Sequence, residues 1–182
     1  MEKKLFLGGV GGQGVVFGGK MMGSAAASAG KKATSYSEYA PAMRNAYTYT
    51  TLIVADDTVG APVTDAFDFM VFFDEGSCKL QSEKLACSGE GYLINTSLVT
   101  SAPAIAGKPV YGLAATEMAD QMGDTRKLNL IMIGALLKVT GVLALKDMES
   151  EIQKTFGKNP QLVQSNIEAL HAGYSAVRPW HI

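Results

Sequence analysis

Lys3-Lys4-Leu5-Phe6-Leu7-Gly8-Gly9-Val10-Gly11-Gly12-Gln13-Gly14-Val15 decides the fold. A short apolar run, Lys3 to Leu7, meets a glycine cluster, and Val15 to Ala29 follows, rich in alanine, methionine and other small residues. That order reads as strand, tight loop, helix. Gly9-Val10-Gly11-Gly12-Gln13-Gly14 satisfies G-x-G-x-x-G in the context that lets bare backbone N–H groups approach a phosphate at a helix N-terminus. The same glycines would also permit a tight turn and close helix packing, so the residues alone leave both readings open.

Working outward, Ala33 to Tyr36 and Tyr47 to Val54 read as strands, with Ser37 to Ala46 a loop between them because it holds Pro41 and keeps neither period. Phe67 to Phe73, Tyr92 to Asn95 and Val110 to Leu113 read as further strands, and Ser77 to Ala86 as a helix. Strands separated by helices or long loops suggest an α/β fold: a single Rossmann-like domain over 1–182, with a mostly parallel sheet flanked by helices. The last third changes character. Leu128 to Thr140 is uninterruptedly apolar and stops at Gly141, which is too short to span a membrane and suits a core helix. Leu145 to Phe156 and Leu162 to Tyr174 are amphipathic at helical spacing, completing a helical C-terminal cap.

Composition bounds the function. The chain has 182 residues, 47% hydrophobic and 18% charged, which suits one domain with a sizeable core. Sixteen basic against seventeen acidic residues leave a net charge of -1 and no footprint for nucleic acid. Low charge with a mean hydropathy of +0.11 fits a surface partly covered by a partner, and a generous core reads the same way. The opening apolar run is too short for a signal peptide or a membrane span, so a cytoplasmic protein is expected. Cys78 and Cys87, the two cysteines, cannot build a four-cysteine cluster or zinc site and read as small apolar residues.

No complete active site assembles from the residues. Glu38, 24 residues after Gly14, stands roughly where a dinucleotide fold places its ribose-binding acid, yet Gly12 and Gln13 are unlike the usual nicotinamide loop. Arg44 sits in the loop with Pro41 and Met43, where it could clamp a carboxylate or phosphate, anchor an interface, or simply be solvated. His171, on an amphipathic helix, and His181, near the chain end, make poor catalytic bases. Asp56, Asp57, Asp74 and Glu75 follow strand ends, where sites and helix caps are both common. Met21 stands where a Walker loop needs a hydroxyl. The candidate cofactor-binding set is therefore Gly9, Gly11, Gly12, Gln13, Gly14 and Arg44, with no catalytic or metal-ligating residue assigned.

Four stretches together resemble a known family. They are Gly8 to Val15 with its G-G-Q-G-V core; Ser35 to Ala46, a tyrosine-rich loop running into Arg44; Gly123-Asp124-Thr125-Arg126-Lys127-Leu128-Asn129-Leu130 leading into Ile133-Gly134-Ala135-Leu136; and Phe156-Gly157-Lys158 with Asn166 and Ala172-Gly173-Tyr174. In order, and across essentially the whole chain, they are similar to the gamma subunit, or gamma domain, of the 2-oxoacid:ferredoxin (or flavodoxin) oxidoreductases. Ala42 and Asn45 depart from the family's Glu-like and Arg-Gly-Gly pattern, and Asp124 replaces its usual Asn. The resemblance implies a non-catalytic subunit of a complex that oxidatively decarboxylates a 2-oxoacid to an acyl-coenzyme A. Thiamine diphosphate with magnesium and [4Fe-4S] clusters would then sit on thiamine-binding alpha and beta subunits and a ferredoxin-like subunit, with ferredoxin or flavodoxin as acceptor. This chain would help accommodate coenzyme A. The alternative is a stand-alone NAD- or nucleotide-binding module.

Overall fold

The structure, a computed structural model, describes residues 1–39, 47–60, 64, 66–81, 89–100 and 107–180. Seven strands form one sheet: β1 (Glu2–Val10), β2 (Lys32–Tyr39), β3 (Tyr47–Ala55), β4 (Phe69–Phe72), β5 (Gly91–Asn95), β6 (Val110–Leu113) and β7 (Arg178–Pro179), in the order β2-β3-β1-β4-β5-β6-β7. β1, β4, β5 and β6 pair parallel, while β3 runs antiparallel to both β1 and β2, and β7 antiparallel to β6. Five of the seven strands therefore point the same way, but three of the six pairings are antiparallel, so the sheet is mixed around a parallel centre of β1, β4, β5 and β6 rather than mostly parallel throughout. The hairpin is the departure. Ser37 to Tyr39, read above as loop, continue β2 because each faces a residue of β3; the Ser37 hydroxyl lies 3.0 Å from that of buried Thr50. A polar strand at a sheet edge shows no apolar alternation, which is why its length was not legible.

The helices are α1 (Val15–Ser28), α2 (Glu75–Leu80), α3 (Ala115–Gln121), α4 (Leu128–Thr140), α5 (Leu145–Phe156) and α6 (Pro160–Ala176), with a 3-10 turn at Thr125–Lys127. α4 and α5 match the sequence reading residue for residue, and Gly141 ends α4 in the left-handed conformation, φ 60°. α2 begins earlier than expected because Asp74 caps it, accepting from the Ser77 N–H at 2.9 Å; residues 82–88, including Cys87, lie outside the described residues. α3 and β7 had no sequence signal strong enough to be placed.

Alternation along the strands divides the core. Leu5, Leu7, Leu52, Val54, Phe69, Val71 and Leu93 face α1 and the C-terminal helices, whereas Phe6, Met70, Phe72, Tyr92 and Ile94 form a smaller cluster with Cys78 of α2 on the opposite face. α4 is buried all round from Leu128 to Leu137, which explains why that stretch is apolar but for Asn129: it lies inside the helical layer, with α6 outside it. Two glycines allow that crossing. A Cβ on Gly134 would stand 2.9 Å from the Leu170 carbonyl carbon, and one on Gly173 would stand 2.6 Å from that of Ile131, so backbone meets backbone.

Asn95 ties the carboxyl ends of the parallel strands together. Buried at the end of β5, its amide donates to Phe73 O (3.0 Å) and Thr116 Oγ1 (2.8 Å), and its carbonyl accepts from the N–H groups of Ala115 (3.0 Å), Thr116 (3.3 Å) and Ser97 (3.3 Å). This network joins the end of β5 to the residue after β4 and to the start of α3.

Candidate functional site

The glycine stretch divides into four roles. Gly9 belongs to β1 and is buried; a Cβ there would meet Val15 Cγ2 at 2.7 Å and Phe73 Cβ at 3.1 Å, so this glycine serves close packing rather than ligand access. Gly11 and Gly12 form the exposed tip of a turn closed by the Gln13 N–H donating to Val10 O, 3.2 Å, with φ 98° at Gly12. Gln13 turns inward, its Oε1 accepting from the Val10 N–H at 2.9 Å, and so braces the loop from within. Gly14 is the N-cap of α1 at φ 78°. Among the described residues no side chain caps this helix and no acidic residue stands in its first turn, so its N–H groups and the positive end of its dipole stay open there.

Beside that terminus lies a cleft of about 290 Å³. Its first wall is Gly12, Gln13, Gly14 and Phe17; the second is Arg126, Lys127 and Asn129 at the start of α4; the third is Phe156 and Asn166 from α5 and α6. Three of the four stretches that carry the family resemblance, distant in sequence, thus meet here. Of the fourth, Arg44 lies outside the described residues.

Lys127 dominates the electrostatics. Only 5% exposed, its Nζ donates to Ser165 Oγ at 2.8 Å and to Asn166 Oδ1, both neutral, and it has no carboxylate ion-pair partner among the described residues. Burial pulls its pKa below the ordinary lysine value. An ammonium has three N–H groups, so one donor has no partner among the described residues, while the Asp124 carboxyl, which also lines the cleft, and that of Glu168 act on the charge from beyond ion-pair distance. Asn129, 7% exposed, makes no side-chain hydrogen bond among the described residues; its Nδ2 occupies the space that a side chain on Gly14 would need, 2.6 Å from such a Cβ. Arg126 does not face the same demand, because it is 85% exposed and forks onto Asp124 through Nε (2.9 Å) and Nη2 (3.0 Å). That pairing holds the Asp124 carboxyl below its usual range. Phe17, 41% exposed, and Phe156 form an aromatic rim with ring centroids 6.1 Å apart.

The sequence reasoning missed Lys127 and Asn129 as site residues. The available signal was polarity out of place: Lys127 and Asn129 bracket Leu128 at the head of a helix that is apolar from Leu130 to Leu137. Glu38 is corrected in the other direction. It pairs with Tyr49 of β3, which pairs with Gly8 of β1, so a whole strand separates it from the glycine loop and it is not the ribose-binding acid of a dinucleotide fold. Two of the other strand-end carboxylates have structural roles. Asp56 is held down to about 2 by the Lys31 ammonium at 2.6 Å and the N-terminal amine at 2.9 Å, and Asp74 caps α2. His171 pairs on the surface with Glu149 at 2.6 Å; His181 lies outside the described residues.

Comparison with known proteins agrees with this geometry. The chain is 28% identical to the ketoisovalerate oxidoreductase subunit VorA of Methanothermobacter thermautotrophicus over 174 residues, covering 94% of this chain but 36% of that protein. It therefore spans about a third of the length of that relative. It is 31% identical to the pyruvate synthase subunit PorC of Thermotoga maritima over 177 residues, covering 92% of this chain and 90% of that one. Among solved structures, the pyruvate oxidoreductase subunit PORC of Thermotoga maritima superimposes with a TM-score of 0.80 at 25% identity, covering 99% of both chains. A 2-oxoglutarate:ferredoxin oxidoreductase from Magnetococcus marinus, solved with 2-oxoglutarate, coenzyme A and succinyl-CoA bound, shares the fold with a TM-score of 0.86 at 19% identity over 96% of this chain and 30% of that one. The family model for pyruvate ferredoxin/flavodoxin oxidoreductase matches residues 4–176, nearly the whole chain, and the protein belongs to that family.

Proposed function

We propose that the chain, as one gamma-type domain, is a subunit of a 2-oxoacid:ferredoxin oxidoreductase, and that its cleft receives a phosphate-bearing part of coenzyme A. In this reading thiamine diphosphate, magnesium and the iron–sulfur clusters belong to partner subunits, and ferredoxin or flavodoxin accepts the electrons. Coenzyme A supplies the thiol that carries the acyl group away. This chain's own contribution is binding and orientation. The open N–H groups of α1 and the turn at Gly12, with Gly11 beside it at the loop tip, would cradle an anionic oxygen, Lys127 would match its charge, and the Asn129 amide would donate alongside. Arg44 is assigned here as a further cation for the same ligand.

The observation that carries the proposal is Lys127: a lysine 95% removed from solvent, partnered by neutral oxygens, beside an uncapped helix N-terminus. Such a charge is costly to bury unless an anion arrives. In the assembled enzyme, Lys127→Met should raise the KM for coenzyme A about ten- to a hundred-fold, the worth of one charge-assisted hydrogen bond, while leaving the KM for the 2-oxoacid unchanged. Gly11→Asp, which places a carboxylate at the loop tip, should act in the same direction. Unchanged coenzyme A dependence in both variants would refute the cleft assignment. Failure of the chain to co-purify anaerobically with thiamine-binding subunits would refute the subunit assignment.

A further inference from the structure

The two edges of the sheet are finished differently. One edge is β7, two residues long and containing Pro179, a short proline-bearing strand of the kind that discourages further pairing. The other is β2, eight residues long, bonded to β3 on one side only and paired with it from Lys32↔Ala55 to Tyr39↔Thr48 without a bulge. β2 contains no proline, and its only charges, Lys32 and Glu38, stand near its two ends. Both are exposed and neither has an ion-pair partner among the described residues. Among the described residues no other strand pairs with this edge, and an edge of this length is a template for another strand.

The placement of those charges names the strand. Lys32 and Glu38 are equidistant from Ser35, and the register with β3 puts Lys32, Thr34, Tyr36 and Glu38 on one face. We propose that β2 pairs antiparallel with β2 of a second copy of this chain, about a two-fold axis normal to the sheet at Ser35, joining two sheets into one. In that register Lys32 lies opposite Glu38 of the second copy, and the symmetry makes the pair twice. Tyr36, 43% exposed in the single chain, lies opposite Thr34 of the second copy, an aromatic against a β-branched residue, again twice. On the other face Ser35 meets Ser35 and Ala33 meets Ser37, small residues that let the strands approach. A slip of two residues in either direction removes every Lys32–Glu38 pair, so the charges select the register. The interface is isologous, as a closed two-fold dimer requires.

The test uses the full chain and exposed positions outside the coenzyme A cleft. Sedimentation equilibrium should show a concentration-dependent dimer. Lys32→Glu and Glu38→Lys, each of which sets like charges opposite one another in two places, should weaken it on the order of ten- to a hundred-fold. The double variant Lys32→Glu with Glu38→Lys should restore it, because the pairs re-form with their signs exchanged. Ser35→Cys should form a disulfide to itself under mild oxidation, beyond any background from Cys78 and Cys87 in the unmodified chain. The proposal is overturned if the chain is monomeric at its highest soluble concentration, if a dimer ignores the single reversals or fails to recover in the double, or if Ser35→Cys in the assembled enzyme crosslinks to a different subunit.

Discussion

Gly134→Ala separates intrinsic helix preference from tertiary packing by the sign of its effect. Gly134 lies in the interior of α4, where alanine is favoured over glycine by about 1 kcal/mol. Helix propensity alone therefore expects a more stable protein. The crossing with α6 expects the opposite. An alanine Cβ would stand 2.9 Å from both the Leu170 carbonyl carbon and the Tyr174 nitrogen, where carbon contacts normally settle at about 3.5 to 4.0 Å. Because these neighbours are backbone, no rotamer change relieves the contact and the helices must part. Overpacking of this kind costs typically 1–3 kcal/mol and occasionally more; backbone on both sides places it at about 3 kcal/mol. After the propensity gain, the net loss is about 2 kcal/mol, or a fall in Tm of roughly 4 to 8 °C for a domain of this size. Urea unfolding and thermal melts followed by circular dichroism measure it. Gly173→Ala, whose Cβ would press on the Ile131 backbone from the other helix, should behave alike, and the double variant should lose less than the sum because one separation serves both. A Gly134→Ala protein as stable as the original, or more so, would refute the close crossing and with it the position of Lys127 at the head of α4.

Three further outcomes are expected. Asn95→Ala removes a side chain with five hydrogen bonds at the strand ends and should cost on the order of 2–4 kcal/mol in urea titrations, whereas an equally stable variant would show that the network does not organise those ends. The Cys78 thiol, 1% exposed and pushed up to about 11 chiefly by burial, should resist iodoacetamide at neutral pH in the native protein and react once unfolded, read by mass mapping of its own peptide. The folded-state pKa of Asp124 is depressed by the Arg126 pairing, so its contribution to stability is present above the unfolded carboxyl value and is lost as pH falls through the folded one. Asp124→Asn should therefore differ from the original protein near neutrality and converge with it in acid; a gap independent of pH would show that the charge is not involved.

Much of the fold was written in local pattern. The strand–glycine–helix opening, the long apolar run of α4, the amphipathic α5 and the stop at Gly141 are each decided by interactions within a few residues, namely side-chain alternation, helical spacing and a left-handed cap. The same locality explains the errors. Whether Ser37 to Tyr39 form strand or loop depends on β3 lying alongside, and whether Glu38 reaches the glycine loop depends on which strand neighbours β1. Neither is encoded within a window of ten residues.

The candidate site divides along the same line. Glycine spacing alone marked a loop able to accept a phosphate, but its five candidate positions proved unlike: Gly9 packs, Gln13 braces, Gly11 and Gly12 turn, and Gly14 opens the helix, while Arg44, the sixth candidate, lies outside the described residues. What the sequence determined by itself was a glycine-opened α/β domain with a helical cap, because backbone geometry and burial pattern are local properties of the chain. What only the tertiary structure decided was that Lys127 and Asn129, more than a hundred residues downstream, are brought against that loop, since a close crossing of α4 and α6 and the burial of a cation are properties of the packed chain alone.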